Sequence, residues 1–382
     1  MQIKSITLYR ISLPFSLQFS HALRKRTSVK NIIVKVDAGP GNIRGYGEGA
    51  PRSFVTGETQ ESTVKSISRL VRQDHFPWNL EDISQIWAFI DSLSIVKTHN
   101  AAVCALETAL LDAFGKCRGN NIIDYFPDDF ATDTVYYGVA LPLSGKQTTM
   151  ELCSRSLKMN IRKLKLKMGK DFAQNRENFE AVREVFGEDY DLKVDVNGVW
   201  DGALALRHES LLIDYKVIVV EQPMWPDAPD LSHFANLMQN AGIILMADES
   251  ACDLSEVKKI AKEDHYKMIN VRLSKCGGFR NSLKMIDYIR RHRLSFQVGC
   301  HLGESGILSA AGRILCLLCN DAMYYDGSYD DYLLEKNVTL ENVTFGAGGK
   351  AKPLNGPGLG IEVGSQNLSS LSDGPPVVIK RP

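Results

Sequence analysis

The sequence lacks an excess of charge of either sign. Its 382 residues include 45 Lys and Arg and 45 Asp and Glu, so the formal net charge at pH 7 is zero. A balanced chain generates no overall field that would attract nucleic acid or an anionic membrane. We therefore expect neither nucleic acid nor a membrane among its partners.

Long apolar runs and ordered cysteine patterns are also missing. No apolar run approaches the roughly 20 residues that cross a bilayer, and the first residues, MQIKSI, lack the apolar core of a secretory signal. The eight cysteines are dispersed, and the CxxC spacing of Cys316 and Cys319 has no second pair. This disfavours a cysteine metal or redox site, and we expect a cytoplasmic protein.

Three acidic residues each end a short apolar segment. DLKVD ends at Asp195, VIVVE at Glu221 and ILMAD at Asp248, with spacings of 26 and 27 residues. Each spacing suits one strand, one helix and their turns, so the three carboxylates would share one edge of a parallel sheet. An all-oxygen set without His or Cys suits a hard cation, Mg²⁺ first and Mn²⁺ second. Ordinary helix N-caps are the alternative, which strict register makes weaker.

Apolar segments alternate with amphipathic helical patterns after residue 134. The predicted strands are Val135–Leu141, Lys163–Lys167, Asp191–Asp195, Val217–Glu221, Ile244–Asp248, Met268–Leu273, Ser295–His301 and Met323–Asp326. Helical patterns between them include Asp171–Phe186, Asn281–Arg291 and Ser305–Cys319. This rhythm predicts an α/β fold, a (β/α)₈ TIM-like barrel with its active site at the C-terminal strand ends.

The flanking segments predict a second unit. Alternating strand patterns and then helical patterns precede the barrel, and the tail is rich in Gly, Pro and Lys. We expect an α+β capping domain with substrate-specificity loops over residues 1–125 and the barrel over residues 126–345. Residues 346–382 would form a C-terminal tail that packs on the capping domain.

The second predicted strand, KLKLK, places its lysines on one side because strand side chains alternate. An edge strand with a solvated face could carry them, but a closed barrel has no edge. A lysine beside a divalent cation and a second lysine has a lowered pKa, which makes it a usable base near neutral pH. Lys167, nearest the mouth, is the candidate base. Lys165 is the candidate to hold a substrate carboxylate oxygen.

These residues lie in motifs that resemble the enolase superfamily, within it the mandelate racemase and muconate lactonizing enzyme family. The motifs are Gly45-Tyr-Gly-Glu48 with Pro51, Ala105-Leu-x-x-Ala109-Leu-Leu-Asp112-Ala-x-Gly115, Lys165-x-Lys167, Asp195-x-Asn197-x-x-Trp200, Glu221-Gln-Pro223, Asp248-Glu-Ser250, Lys275-x-Gly277-Gly278 and Pro357-Gly-Leu-Gly360. Together, in this order, they span nearly the whole chain.

The resemblance implies Mg²⁺ bound by Asp195, Glu221 and Asp248, under a capping domain that closes over the barrel. It also implies removal of the proton α to the carboxylate of a small-molecule substrate, with the enediolate stabilised by the metal. Asn197 is a candidate substrate-binding residue, and we expect a homo-oligomer.

The sixth and seventh strands depart from the family pattern. Where muconate lactonizing enzymes and related epimerases usually have a lysine, this chain has Arg272, which cannot act as a second base because arginine stays protonated. It could clamp a carboxylate, and Lys275 is the alternative base. His301 resembles the seventh-strand histidine of mandelate racemase, although Arg272 stands where its orienting aspartate would be. Glu304 could line the pocket, but we favour a helix-capping role.

Two further groups bear on the substrate. Dipeptide epimerases carry an Asp-x-Asp on the eighth strand, and here Tyr324 replaces the first aspartate, which puts a dipeptide substrate in doubt. Asp326 could hydrogen-bond the enediolate if protonated, or bind a polar substituent. His21 and Arg24 fall on a basic segment that resembles the specificity loop of the family, although a solvated charged segment is an equal alternative.

The function predicted from these residues is isomerisation, by a cycloisomerase or a racemase or epimerase. A lyase, such as an acid-sugar or hydroxy-acid dehydratase, is the alternative because one base, Lys167, suffices for it. Arg272 favours this one-sided chemistry, in which a base acts on one face of the substrate only. His301 favours two-sided chemistry, with an acid or base on each face. A non-catalytic metal-binding descendant of the fold is a third interpretation, which the intact lysines and acids disfavour.

Overall fold

The computed structural model describes residues 1–21, 24–39, 41–94 and 96–382, with side chains outside residues 17–26. The side chains of His21 and Arg24 therefore lie outside the described residues. The strands are β1 (Ile3–His21), β2 (Arg24–Ala38), β3 (Ile43–Gly49), β4 (Val135–Tyr136), β5 (Val139–Leu141), β6 (Lys163–Lys167), β7 (Asp191–Asp195), β8 (Val217–Glu221), β9 (Ile244–Ala247), β10 (Met268–Arg272), β11 (Ser295–Gly299), β12 (Tyr324–Tyr325), β13 (Lys350–Ala351) and β14 (Val377–Lys380).

The helices alternate with the strands through most of the chain. They are α1 (Gln60–Val71), α2 (Ser84–Ser92), α3 (Asn100–Arg118), α4 (Lys146–Lys158), α5 (Phe172–Phe186), α6 (Gly202–Asp214), α7 (Leu231–Asn240), α8 (Leu254–Glu263), α9 (Leu273–Cys276), α10 (Gly278–Arg291), α11 (Gly306–Leu317), α12 (Asp330–Leu333) and α13 (Ser365–Ser370). Among the described residues, no helix combines the length and apolar character needed to cross a membrane.

An antiparallel sheet in the order β14-β1-β2-β3 forms the capping part. Its apolar side chains alternate along the strands, and α3 packs closely on β3. Glycines at alternate positions of β3 make this approach possible, because a Cβ on Gly47 would lie 2.1 Å from the carbonyl oxygen of Ala105. The C-terminal β14 pairs with β1, although the predicted domain boundaries remain predictions.

Eight parallel strands, from β5 to β12 in chain order, form the barrel. The Gly138 amide, just before β5, donates to Tyr325 O of β12 at 3.0 Å and joins the two ends of the sheet. The register places Lys167 beside Asp195 and Asp195 beside Glu221. The predicted α/β barrel with an α+β cap is confirmed.

Several strands are shorter than the sequence pattern indicates. Val135 and Tyr136 form β4, which pairs with β13 outside the barrel, so that β5 begins at Val139. The strand β10 ends at Arg272 because α9 starts at the next residue. The barrel strand ends are therefore short, and their last side chains lie at the turn into the following loop.

Candidate active site

Lys167 and Asp195 form an ion pair at the C-terminal ends of their strands. They are register partners on β6 and β7, and Lys167 Nζ lies 2.5 Å from Asp195 Oδ2. Lys167 Nζ also donates to Asn197 Oδ1 at 3.1 Å. Asn197 adopts a left-handed backbone conformation with φ 50°, and its amide donates to Asp195 Oδ1 at 3.0 Å. The predicted base and a predicted substrate-binding residue thus share one acidic partner.

Lys165 lies deeper in the barrel and contacts two acids. Its Nζ is 2.7 Å from Asp326 Oδ2 and 3.4 Å from Glu221 Oε2. Burial opposes the lysine charge, but the carboxylates of Asp326 and Glu221 outweigh burial and raise the pKa of Lys165 well above its usual value. Lys165 therefore stays protonated, which suits a residue that holds negative charge.

Sequence reasoning did not select Lys193, which lies on β7 beside Lys165. Lys193 Nζ lies 3.2 Å from Asp326 Oδ1, donates to Gln297 Oε1 and stands 4.3 Å from the Tyr324 ring centroid. Burial lowers the pKa of Lys193 and the charge of Lys165 adds to this, while Asp326 opposes it. Its position two residues before Asp195, on the same side of the strand, was the available signal.

Asp326 is an ionised acceptor between the two lysines. Burial alone would raise its pKa, but the charges of Lys165 and Lys193 reverse that effect and lower the pKa of Asp326 below its usual range. A protonated Asp326 that donates to an enediolate is therefore disfavoured. Tyr324 points to the opposite end of the barrel, where its hydroxyl donates to Asp191 Oδ1 at 2.8 Å.

Glu221 and Asp248 are linked through Arg272. Arg272 Nη2 donates to Glu221 Oε1 at 3.3 Å and to Asp248 Oδ2. Asn270 Nδ2 also donates to Glu221 Oε1 at 2.6 Å. Lys275 is fully buried on α9, where its Nζ donates to the carbonyl oxygens of Asp248 and Asn270, each at 2.6 Å. These contacts give Lys275 a role in joining strand ends.

Glu249, the residue after Asp248, is a second site residue that sequence reasoning missed. Asn197 Nδ2 donates to Glu249 Oε1 at 2.9 Å, and Glu249 is buried. Burial and the charges of Asp248 and Asp195 raise the pKa of Glu249 to about 8. A protonated Glu249 would contribute no charge of its own among the other carboxylates at neutral pH.

The three predicted metal ligands suit a hard cation in their chemistry. Glu221 Oε2 and Asp248 Oδ1 are buried and accept no hydrogen bond, although Lys165 Nζ lies 3.4 Å from the first and Lys275 Nζ lies 3.1 Å from the second. A coordinated cation would satisfy both oxygens. As the side chains stand, however, no group of three or more His, Cys, Asp and Glu within the described ranges is arranged to hold an ion. Lysine and arginine nitrogens contact each carboxylate instead.

His301 and Glu304 lie beyond the end of β11. His301 is 3% exposed, and its amide donates to Glu304 Oε1 at 2.7 Å. The side chain of Ser305, not of Glu304, caps α11 by accepting from the Ile307 amide, so the favoured capping role of Glu304 is wrong. Burial and the charge of Glu48 raise the pKa of Glu304 to about 8. Both residues line a small cavity with Cys300 and Tyr329.

A buried acid from the capping sheet reaches this loop. Glu48 on β3 accepts from the Ser305 amide at 3.1 Å, from Ser305 Oγ at 2.6 Å and from the Leu308 amide at 3.0 Å. Asn31 Nδ2 donates to Glu48 Oε1 at 2.6 Å and to the Gly303 carbonyl at 2.9 Å. The capping sheet therefore supports the loop that carries His301.

A closed parallel barrel with charged groups at its C-terminal strand ends, beneath an attached antiparallel sheet, defines a capped-barrel enzyme. A family model described as enolase C-terminal domain-like matches residues 148–367. The L-Ala-D/L-Glu epimerase of Clostridium acetobutylicum is 26% identical over an alignment 381 residues long. The alignment covers 95% of this chain and 99% of that protein.

Solved structures agree with this match. The N-succinyl Arg/Lys racemase of Bacillus cereus has a TM-score of 0.86 and 25% identity, with 100% of both chains covered. The dipeptide epimerase of Enterococcus faecalis, in complex with Mg and L-Leu-L-Tyr, has a TM-score of 0.80 and 24% identity, covering 94% of this chain and 99% of that chain.

The chain belongs to the enolase superfamily, in the mandelate racemase and muconate lactonizing enzyme family. This confirms the family predicted from the sequence motifs. The protein is an enzyme of the isomerase class.

Proposed function

We propose that the protein racemises or epimerises a small carboxylic acid by removing and returning the proton α to its carboxylate. The observation that carries this proposal is the placement of Lys165 and Lys167 against Asp195 and Glu221 at the C-terminal strand ends. The names of the relatives agree with this reaction, since they are epimerases and racemases of dipeptides or N-succinyl amino acids.

The substrate class we propose is an N-acylated amino acid without a free ammonium group near β12. Dipeptides and N-succinyl amino acids share an acylated nitrogen beside the α-carbon. An ammonium group would need an acid at position 324, where this chain has a tyrosine whose hydroxyl contacts Asp191. The remaining acid, Asp326, is already paired with Lys165 and Lys193.

Asp195, Glu221 and Asp248 are the residues that would hold Mg²⁺, with Mn²⁺ as the second choice. The buried oxygens Glu221 Oε2 and Asp248 Oδ1, which accept no hydrogen bond, support this assignment. When bound, the ion would supply positive charge where negative charge develops on the substrate carboxylate.

Proton transfer, charge stabilisation and substrate binding are the roles of residues of the chain itself. Lys167 removes the proton on one face of the substrate, and protonated Lys165 stabilises negative charge beside it. His301 is the proposed acid or base on the other face, because it follows β11, which lies three strands from β6 around the eight-stranded barrel. Arg272 stays charged and so contributes binding, not proton transfer.

Deuterium exchange tests the proposal. The enzyme would be incubated in deuterated water with Mg²⁺ and a set of N-acyl amino acids of known configuration, and deuterium at the α-carbon would be measured together with optical rotation. We expect exchange with loss of optical activity in the wild type, and Lys167→Met should lose racemisation together with exchange of the enantiomer whose α-proton faces Lys167.

Lys163→Met is the matched control, because it removes a lysine from the far end of the same strand. It should leave exchange intact. Loss of water or another leaving group from the substrate would identify the lyase alternative, which Arg272 favours by removing the usual second base. No exchange with any member of the set would contradict the proposed substrate class.

A further inference from the structure

One nitrogen of Arg272 lies between two of the proposed metal ligands. Arg272 Nη2 contacts both Glu221 Oε1 and Asp248 Oδ2, and both carboxylates are fully buried. The lysines in the site differ in this respect. Lys167 contacts Asp195 alone among the three ligands, and Lys165 contacts Glu221 alone.

Local structure holds the guanidinium in this place. Arg272 is the last residue of β10, and α9 begins directly after it, so its side chain turns into the barrel mouth. Asn270, two residues earlier on the same side, donates to the same Glu221 oxygen. Lys275 Nζ lies 3.1 Å from Asp248 Oδ1 and fixes that carboxylate from the other side.

We infer that Arg272 competes with the divalent cation for Glu221 and Asp248, so that cation binding displaces its guanidinium and frees it for the substrate carboxylate. The inference rests on the metal assignment in the proposed function. A cation held by Glu221 and Asp248 would compete with the guanidinium for the negative charge of the same two carboxylates. The freed guanidinium has the planar, two-pronged donor geometry that matches a carboxylate.

Two consequences follow for binding. Cation affinity is weakened by the ion pair that has to be broken, because a buried carboxylate keeps its charge partner strongly. The affinity for a carboxylate ligand rises when the cation is present, since only then is Arg272 available. Linkage requires the reverse effect as well, so the ligand should tighten cation binding.

Calorimetric titration with Mg²⁺ alone tests the competition. We expect Arg272→Met to lower the Kd of Mg²⁺ by about tenfold or more, a change of about 1.4 kcal/mol. Lys167→Met removes the same charge beside a single ligand, so it is the matched control and should tighten Mg²⁺ binding much less. Equal changes in the two variants would show a general charge effect and would overturn the inference.

Two further measurements distinguish a failure of this inference from a failure of the metal assignment. Crystal structures of the wild type with and without Mg²⁺ should differ in the distance from Arg272 Nη2 to Asp248, and a guanidinium that stays on both carboxylates with Mg²⁺ bound would refute the inference even if Arg272→Met did not fold. Asp195→Asn should weaken Mg²⁺ binding strongly. Wild-type protein that binds no Mg²⁺ would overturn the metal assignment, and this inference with it.

Discussion

At the residue scale, the charge balance of the site depends on Asp326. It lies between Lys165 and Lys193, both of which are buried and would be costly without a carboxylate partner. Gln297 and the Tyr324 ring complete the surroundings of Lys193. Lys193 therefore positions Asp326, which in turn positions Lys165 toward Glu221.

Lys193→Met tests this chain of contacts. Asp326 would lose one of its two partners and shift with Lys165, so we expect kcat to fall by about 10- to 100-fold, the scale of an error of about 1 Å in placement. The KM should change much less, and Mg²⁺ affinity should stay near that of the wild type. Unchanged kcat in a folded variant would argue against the positioning role.

His301→Asn separates two-sided from one-sided chemistry. If His301 serves the second face, the variant should lose racemisation by about 100-fold or more, as expected for a missing acid or base. It should still exchange the α-proton of the enantiomer that faces Lys167. Exchange followed by nuclear magnetic resonance for each pure enantiomer measures this, and equal loss for both enantiomers would contradict it.

The residues that lie at strand ends could be predicted, whereas those that depend on distant contacts could not. Asp195, Glu221 and Asp248 follow from apolar segments of similar spacing, which is local information. Lys193 has the same local signal, but its partners Gln297 and Asp326 lie more than 100 residues away. Only folding brings these groups together.

At the element scale, the close packing of β3 on α3 depends on alternate glycines. The Cβ of an alanine at position 47 would lie 2.1 Å from the carbonyl oxygen of Ala105 and 2.5 Å from the amide nitrogen of Ala109. These are backbone atoms, so strand or helix would have to move. The GYGEG segment thus has a packing role as well as a place in the family motif.

Gly47→Ala should therefore destabilise the protein by about 3 kcal/mol or more, because overpacking at a backbone contact cannot be relieved by a rotamer change. Gly41→Ala is the matched control, since a Cβ added at that position would have no other atom within 4 Å. Urea unfolding of both variants measures the difference. A Gly47→Ala variant as stable as Gly41→Ala would show that β3 and α3 can separate without cost.

Strand existence was easier to predict than strand length. The strands β6, β7 and β8 have the predicted bounds, whereas the predicted strand Ser295–His301 is β11 (Ser295–Gly299). An apolar pattern indicates which residues are buried but not where pairing ends. The residues His301 and Glu304 consequently lie in a loop whose conformation depends on Glu48 of the capping sheet.

At the scale of the whole molecule, two buried acids attach the capping part to the barrel. Glu48 receives hydrogen bonds from the N-terminus of α11, and Glu107 of α3 accepts from the Arg280 amide of α10 at 2.9 Å. A carboxyl group at a helix N-terminus satisfies amides that the helix itself leaves unpaired. These two helices follow β10 and β11, the strands that lead to Arg272 and His301.

The acid on α3 also links stability to pH. Burial raises the pKa of Glu107 to about 8, against lowering contributions from the Arg280 and Phe279 amides and the Arg280 charge, while Asp91 raises it slightly. A folded-state pKa above the unfolded value means that the folded protein binds the proton more tightly. The resulting stability is complete below about pH 4, near the unfolded pKa, and is lost as pH rises toward 8.

Glu107→Gln should remove this part of the pH dependence. Glutamine keeps an oxygen for the Arg280 amide but cannot ionise, so the free energy of unfolding should fall less between pH 5 and pH 8 than in the wild type, by on the order of a few kcal/mol. Urea unfolding at several pH values measures both slopes. Burial also raises the pKa of Glu58 to about 7 and the pKa values of Glu249 and Glu304 to about 8, so the variant should keep a dependence of the same sign with a smaller slope. If the unfolding free energy had the same slope against pH in both proteins, Glu107 would be ionised in the folded state at pH 7. The Arg280 amide of α10 would then donate to a charged carboxylate on α3.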